Sequence, residues 1–235
     1  MRMWKILIGL GGLLALGAAG LATNGMLALD DTAHAVRAPM DAGDAGTATP
    51  DALTTASAGD LAQVQPGDHV LGDADAPVTI VEYSSLTCPH CATFHKETLP
   101  RIKKNFIEPG QVKLIFRHYP LDRRALKGAL LTECFDGRRF FSMLNILYMK
   151  QMQWARAEDP EAHFRKLAGM AGLSPEKADA CMTDSAKQDR ILQRQLDARR
   201  SADIKATPSF IIDGEVVEGN PGYEELAKKL RDAGA

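Results

Sequence analysis

The pattern of apolar and polar positions divides the chain into three parts. Residues 6–22 (ILIGLGGLLALGAAGLA) are almost wholly apolar, with Arg2 and Lys5 before them and no further charge until Asp30. A basic start followed by an apolar core has the shape of an export signal. The run is longer than a usual signal core and a little short of the roughly 20 residues of a membrane span. Two readings stay open: a cleaved signal peptide within 1–35, with small-residue cleavage patterns at Gly20-Leu21-Ala22 and Ala33-His34-Ala35, or an uncleaved inner-membrane anchor through 6–22. Both put the rest of the chain outside the cytosol, with the basic end inside. Residues 36–60 are mostly Ala, Gly, Thr, Asp and Pro without periodicity, too poor in apolar surface to order themselves, and are read as a disordered linker.

From residue 61 onward the pattern is that of a folded domain. Residues 78–83 (VTIVEY) form a short β-branched run that predicts a buried strand, and residues 111–119 (QVKLIFRHY) alternate into a second one. Between them, Thr87-Cys88-Pro89 has the cap-then-proline grammar of a helix start, and Pro100 is placed to kink or divide that helix. From about 122 to 201 the strand signals vanish. Phe140, Met143, Leu144 and Leu147 share one helical face and Phe141, Tyr148 and Met152 another, which predicts a segment buried around most of its girth. Ser174-Pro175-Glu176 opens a further helix. Residues 209–212 and 215–217 then flank an Asp213-Gly214 turn, and a last helix covers 223–231. The order β-α-β, helices, β-β-α predicts an α/β fold: a mixed sheet flanked by helices, with the helical block as an insertion at about 122–201.

Charge narrows the function. Lys+Arg number 28 against Asp+Glu at 30, so no broad positive field exists to attract nucleic acid. Four cysteines stand at 88, 91, 134 and 181. In an exported chain they are candidates for disulfide chemistry.

Cys88-Pro89-His90-Cys91 carries the chemistry. Two thiols one turn apart at a helix start close a small disulfide ring, and Cys88 there faces unpaired N–H groups and the positive end of the helix dipole. A protonated His90 adds a second stabilising charge. Stabilising the Cys88 thiolate favours the reduced pair and makes the disulfide an oxidant, at about 30 mV for each ~1.4 kcal/mol. A zinc site would need two more ligands; Cys134 and Cys181 lack CxxC or HxxxH partners, and His95 supplies at most one. No metal or other cofactor is expected. An inert structural disulfide is the remaining bland alternative.

This constellation resembles the DsbA family of bacterial thioredoxin-like periplasmic thiol-disulfide oxidoreductases. The likeness covers most of the chain after residue 61: strand 78–83, CPHC at the helix start, an inserted helical block, and Thr207-Pro208 before a strand and hairpin. It implies a thioredoxin-like fold with an inserted helical domain over 61–235. It also implies site roles. Cys88 is similar to the family's exposed attacking cysteine, Cys91 to its buried resolving one, and His90 to the dipeptide residue that tunes the potential. Glu82 matches a buried acid thought to help proton transfer at the resolving cysteine, and a Glu on an apolar strand is costly unless paired or functional. Its bland reading is a solvent-facing strand position. Pro208 matches the family's cis-proline, although an X-Pro bond taken alone is trans in all but ~5% of cases. The backbone of Thr207 would then pair with an extended substrate strand.

Cys134 and Cys181 are expected to pair, either as a structural bond or as a second, regulatory redox pair. Met143, Met149, Met152 and Trp154 are read as core before groove. The leading functional reading is an enzyme that donates its disulfide to reduced, unfolded exported proteins and is re-oxidised by a membrane quinone-linked partner of the DsbB type, as the resemblance implies. A disulfide isomerase or thiol reductase of the same fold, and a peptide-binding holdase of another class, are the alternatives.

Overall fold

The computed structural model describes residues 58–235, so the signal or anchor over 1–35 and all but the end of the linker lie outside the described residues. The described part opens with α1 (Ala58–Leu61), which takes up the last residues assigned to the linker, and continues through β1 (His69–Leu71) and β2 (Val78–Ser84). A helical run follows, opened by α2 (Pro89–Thr93) and carried on, after a π segment Phe94–Thr98, by α3 (Leu99–Ile102) and a second π segment Lys103–Ile107. It leads into β3 (Val112–His118). The helical block comprises α4 (Arg123–Thr132), α5 (Arg138–Met149), α6 (Gln151–Trp154), α7 (Pro160–Met170), α8 (Pro175–Met182) and α9 (Ser185–Ser201), and β4 (Ser209–Ile212), β5 (Glu215–Glu218) and α10 (Tyr223–Asp232) close the chain.

The strands form one mixed sheet in the order β1-β3-β2-β4-β5. β2 and β3 run parallel with Val78 opposite Val112 and Ser84 opposite His118, and β4 lies antiparallel to β2 with Ile80 opposite Ile212. The parallel pair is central and covered on both faces, which is why both strands read as near-continuous apolar runs. Asp213 and Gly214 both take positive φ, 49° and 78°, as the two-residue turn from β4 to β5 requires.

Side chains of successive strand residues point to opposite faces. Ile80, Leu114, Phe116, Phe210 and Ile212 pack with Phe94, Leu144 and Tyr148 on one face; Val81, Tyr83, Ile115 and Ile211 pack with Leu61, Ala198 and Ile204 on the other. The thioredoxin-like α/β architecture with inserted helices is therefore the one the sequence predicts. Two details differ. β1 has only three residues between Asp68 and Gly72, too few to show a period, and it pairs with β3 through Val70 opposite Ile115. The second apolar face expected around α5 is only partly buried: Tyr148 is sealed, Phe141 is half-buried and Met152 is 51% exposed. Likewise Met143 and Trp154 are core residues while Met149 is exposed.

Pro100 stands in α3 between the two π segments. It has no N–H to give the preceding turn, and the hydrogen-bond register on either side widens to five residues. The expected interruption is thus a change of register that keeps 89–107 helical, with His95 buried in the first π segment.

Candidate active site

Cys88 is the N-cap of α2, with extended backbone (φ −74°, ψ 123°) and Pro89 at the first helical position. Pro89 and His90 are exposed. Cys88 is not: only 5% of its surface is accessible, because its thiol donates to the Thr207 carbonyl oxygen at 3.2 Å and packs beneath the loop before β4. This corrects the expectation of an exposed cysteine. Cys91, one turn on, is fully sealed, and both thiols are free. The Thr207–Pro208 peptide bond is cis.

The two thiols differ sharply in proton affinity. Cys88 is lowered to about 5, first by the hydrogen bond from the Cys91 thiol, against the cost of burial, then by the Thr207 side chain and the backbone N–H groups of Cys91 and His90. The Thr207 hydroxyl is buried and unpartnered while Cys88 is a thiol, so the thiolate gives it an acceptor. His90 acts here through its backbone N–H, where the sequence had suggested its imidazole. Cys91 is pushed far up by burial and by the neighbouring Cys88, with the Ser84 hydroxyl and Ser85 N–H opposing. Of the two, Cys88 is therefore the thiol that ionises first and Cys91 the one that keeps its proton.

The loop carrying Cys88 is held from the helical block. Gln151, buried where α6 begins, donates through Nε2 to the carbonyl oxygens of Leu86 at 2.7 Å and Cys88 at 2.9 Å. Gly128 on α4 lets Leu86 approach, since a Cβ there would lie 2.9 Å from its Cδ1. Sequence reading missed Gln151; a lone amide in a polar stretch carries no periodic signal.

Behind Cys91 lies a buried polar group. Glu82 is sealed on β2, with Oε1 2.8 Å from His95 Nε2 and Oε2 without a partner. The His95 ring stacks on Tyr148 at 4.1 Å, and the Tyr148 hydroxyl meets Ser84 Oγ at 2.9 Å. Burial and the charges of Cys91 and Glu82 raise Tyr148 well above the usual phenol range. Cys134 and Cys181 form a disulfide between the end of α4 and α8, with Cα atoms 6.1 Å apart.

A mixed sheet with a central parallel pair, a CxxC pair at the start of the crossover helix and a cis-proline loop against it define a thioredoxin-fold thiol protein. The thioredoxin family model matches residues 64–232, and the chain belongs to that family. Within it the chain is a DsbA-family protein. It is 29% identical over 172 residues to a Rickettsia conorii protein named as a protein-disulfide oxidoreductase, covering 73% of this chain and 62% of that one. It is 26% identical over 169 residues to disulfide bond formation protein D of Bacillus subtilis, covering 70% and 76%. Among solved structures, alpha-DsbA1 of Wolbachia pipientis superposes with a TM-score of 0.71 at 28% identity, over 75% of this chain and 96% of that one. BdbD of Bacillus subtilis gives 0.61 at 25%, over 71% and 92%. The chain thus spans about three fifths of its Rickettsia relative.

Proposed function

We propose that this chain is a protein thiol-disulfide oxidoreductase that introduces disulfides into reduced exported proteins through Cys88 and Cys91. The carrying observation is the Cys88–Cys91 pair at the start of α2, with Cys88 3.2 Å from the Thr207 carbonyl beside the cis Thr207–Pro208 bond and Cys91 sealed behind it; Cys88 is lowered to about 5 and Cys91 raised in keeping with this. A substrate thiolate attacks Cys88 Sγ of the oxidised pair; the Cys88–Cys91 bond breaks, a mixed disulfide forms, and the electron pair passes to Cys91. A second substrate thiol then attacks its own sulfur and releases Cys88 as a stabilised thiolate. The low proton affinity of Cys88 makes it the better leaving group in that step. The Thr207 backbone beside Cys88 supports a role in pairing with an extended substrate segment. Glu82 acts in proton transfer at Cys91, Pro208 in shaping the substrate loop, and the Cys134–Cys181 bond as a structural brace. Export is supported by the basic and apolar pattern of residues 1–35, and re-oxidation falls to a quinone-linked membrane partner of the DsbB type.

The test is a dithiol peptide. The chain oxidises it stoichiometrically, Cys88→Ser abolishes this, and Cys91→Ser accumulates a mixed disulfide; absence of adducts would overturn the assigned roles. Thiol trapping in cells then separates the directions. A mostly oxidised pair identifies an oxidase, and a mostly reduced pair an isomerase or reductase.

A further inference from the structure

The first thiol exchange leaves its electron pair on a sulfur with no access to solvent. Cys91 is completely buried, so the proton that neutralises it must come through the protein. The polar groups on that side are the Ser84 hydroxyl and Ser85 N–H. Ser84 Oγ lies 2.9 Å from the Tyr148 hydroxyl. Glu82 stands two residues before Ser84 on the same face of β2, with one buried oxygen unpartnered among the described residues and the other bound to His95. Other rings against His95 are Phe94 and Phe116, neither of which titrates.

His95 has a second neighbour. It belongs to the wall of an open cavity of about 640 Å³, together with Leu71, Leu99, Lys103, Phe141 and Asn145. His95 thus stands between the sealed Glu82 carboxyl, bound at Nε2, and a space large enough for several waters, which the residue borders with only 3% of its side chain accessible. Nothing else that contacts Glu82 in the hydrogen-bond network lines that cavity.

We propose that His95 is the proton gate of the buried half of the active site, passing a proton between water in this cavity and the Glu82 carboxyl from which Cys91 is served past the Ser84 and Tyr148 hydroxyls. It rests on the redox reading above. When the Cys88–Cys91 bond breaks, the bond to the substrate sulfur forms and Cys91 takes one proton; Glu82 and His95 are restored by one proton from solvent. During re-oxidation the same proton leaves. His95 touches no reacting sulfur and is a positioning and relay residue.

Single-turnover mixing of the oxidised full chain with a reduced peptide reads the step. His95→Gln keeps a donor toward Glu82 and carries no proton, so disulfide cleavage slows about 100-fold, the scale of one positioned acid–base group, while the Cys88 thiolate absorbance titrates as in the parent chain. His95→Ala opens the cavity wall, and added imidazole restores its rate in a saturable way, which a purely structural role would not allow. A parent-like rate in His95→Gln, or no imidazole response in folded His95→Ala, overturns the proposal. Failure of both variants to fold assigns His95 to the core and overturns it as well. If the parent chain itself oxidises no peptide, the redox reading falls; if the parent works and His95→Gln equals it, only the gate falls.

Discussion

Two pairs of polar side chains, Arg117 with Asp68 and Glu82 with His95, are buried on opposite faces of the same central strands, and they are built to opposite rules. On the face toward α1 and α9, Arg117 of β3 uses all of its donors: Nε and Nη2 bind Asp68 at 3.1 and 2.7 Å, Nη2 also reaches the Gln63 carbonyl, and Nη1 donates to the Leu61 carbonyl and the Tyr83 hydroxyl. Asp68 is equally full, accepting also from Arg194 at 3.0 Å and from the Gln65 N–H at 2.7 Å. On the other face Glu82 has one partner, His95, and one empty oxygen. A saturated network has nothing left to exchange and can only hold the chain in place. An open one costs stability and keeps a site where a proton can land. The cysteines repeat the contrast, with Cys134 and Cys181 closed into a bond and Cys88 and Cys91 left free.

The contrast breaks most visibly at its closed end. Asp68→Ala leaves Arg117 as an uncompensated buried charge, a loss of about 3–5 kcal/mol. The thermal midpoint should fall by roughly 10 °C, while peptide oxidation by the folded protein below that midpoint is kept. Leaving the midpoint within a degree would show that the cluster on this face is not the brace described. Replacing Cys134 and Cys181 by Ala comes next. The bond closes a loop with a sequence separation of 47, so its removal costs at most about 4 kcal/mol in the chain-entropy model. Differential calorimetry should show a lower midpoint with the potential of the Cys88–Cys91 pair unchanged; a changed potential at constant stability would make the bond regulatory.

How much of this was legible follows from where the information sits. Cys88, Pro89, His90 and Cys91 were readable because helix-start grammar and thiol spacing are local. Glu82 was readable as an anomaly, an acid in an apolar strand. Its partner was not: His95 drew notice only as a spare zinc ligand, because pairing across elements leaves no trace in periodicity and the π register around it does not show in the sequence pattern. The Arg117–Asp68 pair was invisible for the same reason, with its two residues 49 apart. The burial of Cys88 also depends on a distant loop, at Thr207.

pH sharpens the comparison of the two thiol states. Cys88 in the folded reduced protein is lowered to about 5. In the unfolded chain a thiol titrates near ~8.5. Between those values the reduced fold binds fewer protons than the unfolded chain, so its stability rises with pH through that window, by up to ~1.4 kcal/mol per pH unit, and is lost as pH falls through about 5. Cys91, raised by burial, opposes this only above ~8.5, where the unfolded thiol ionises and the folded one does not. The oxidised protein has neither titration. Thermal midpoints of both forms, taken from pH 5 to 8, should therefore diverge in favour of the reduced form; parallel curves would contradict the split assigned to the pair.

The smallest effect on stability is expected at the open end of the comparison. Glu82→Gln removes a buried carboxylate whose second oxygen has no partner, and it keeps an oxygen that can accept from His95 Nε2. The relief of an unpartnered acceptor and the new cost of an amide with donors to satisfy are each of order 1 kcal/mol and oppose one another, so the thermal midpoint should move by no more than a few degrees. Kinetics should move far more, because an amide cannot take up the proton exchanged with Cys91. Attack on the oxidised pair should slow about 100-fold, the scale of one acid–base group, with the Cys88 titration retained. Asp68→Ala should give the reverse pattern, a large loss of stability with chemistry intact. A Glu82→Gln protein that loses several kcal/mol and keeps its rate would place both clusters in the same structural class and remove the distinction between a filled and an unfilled buried pair.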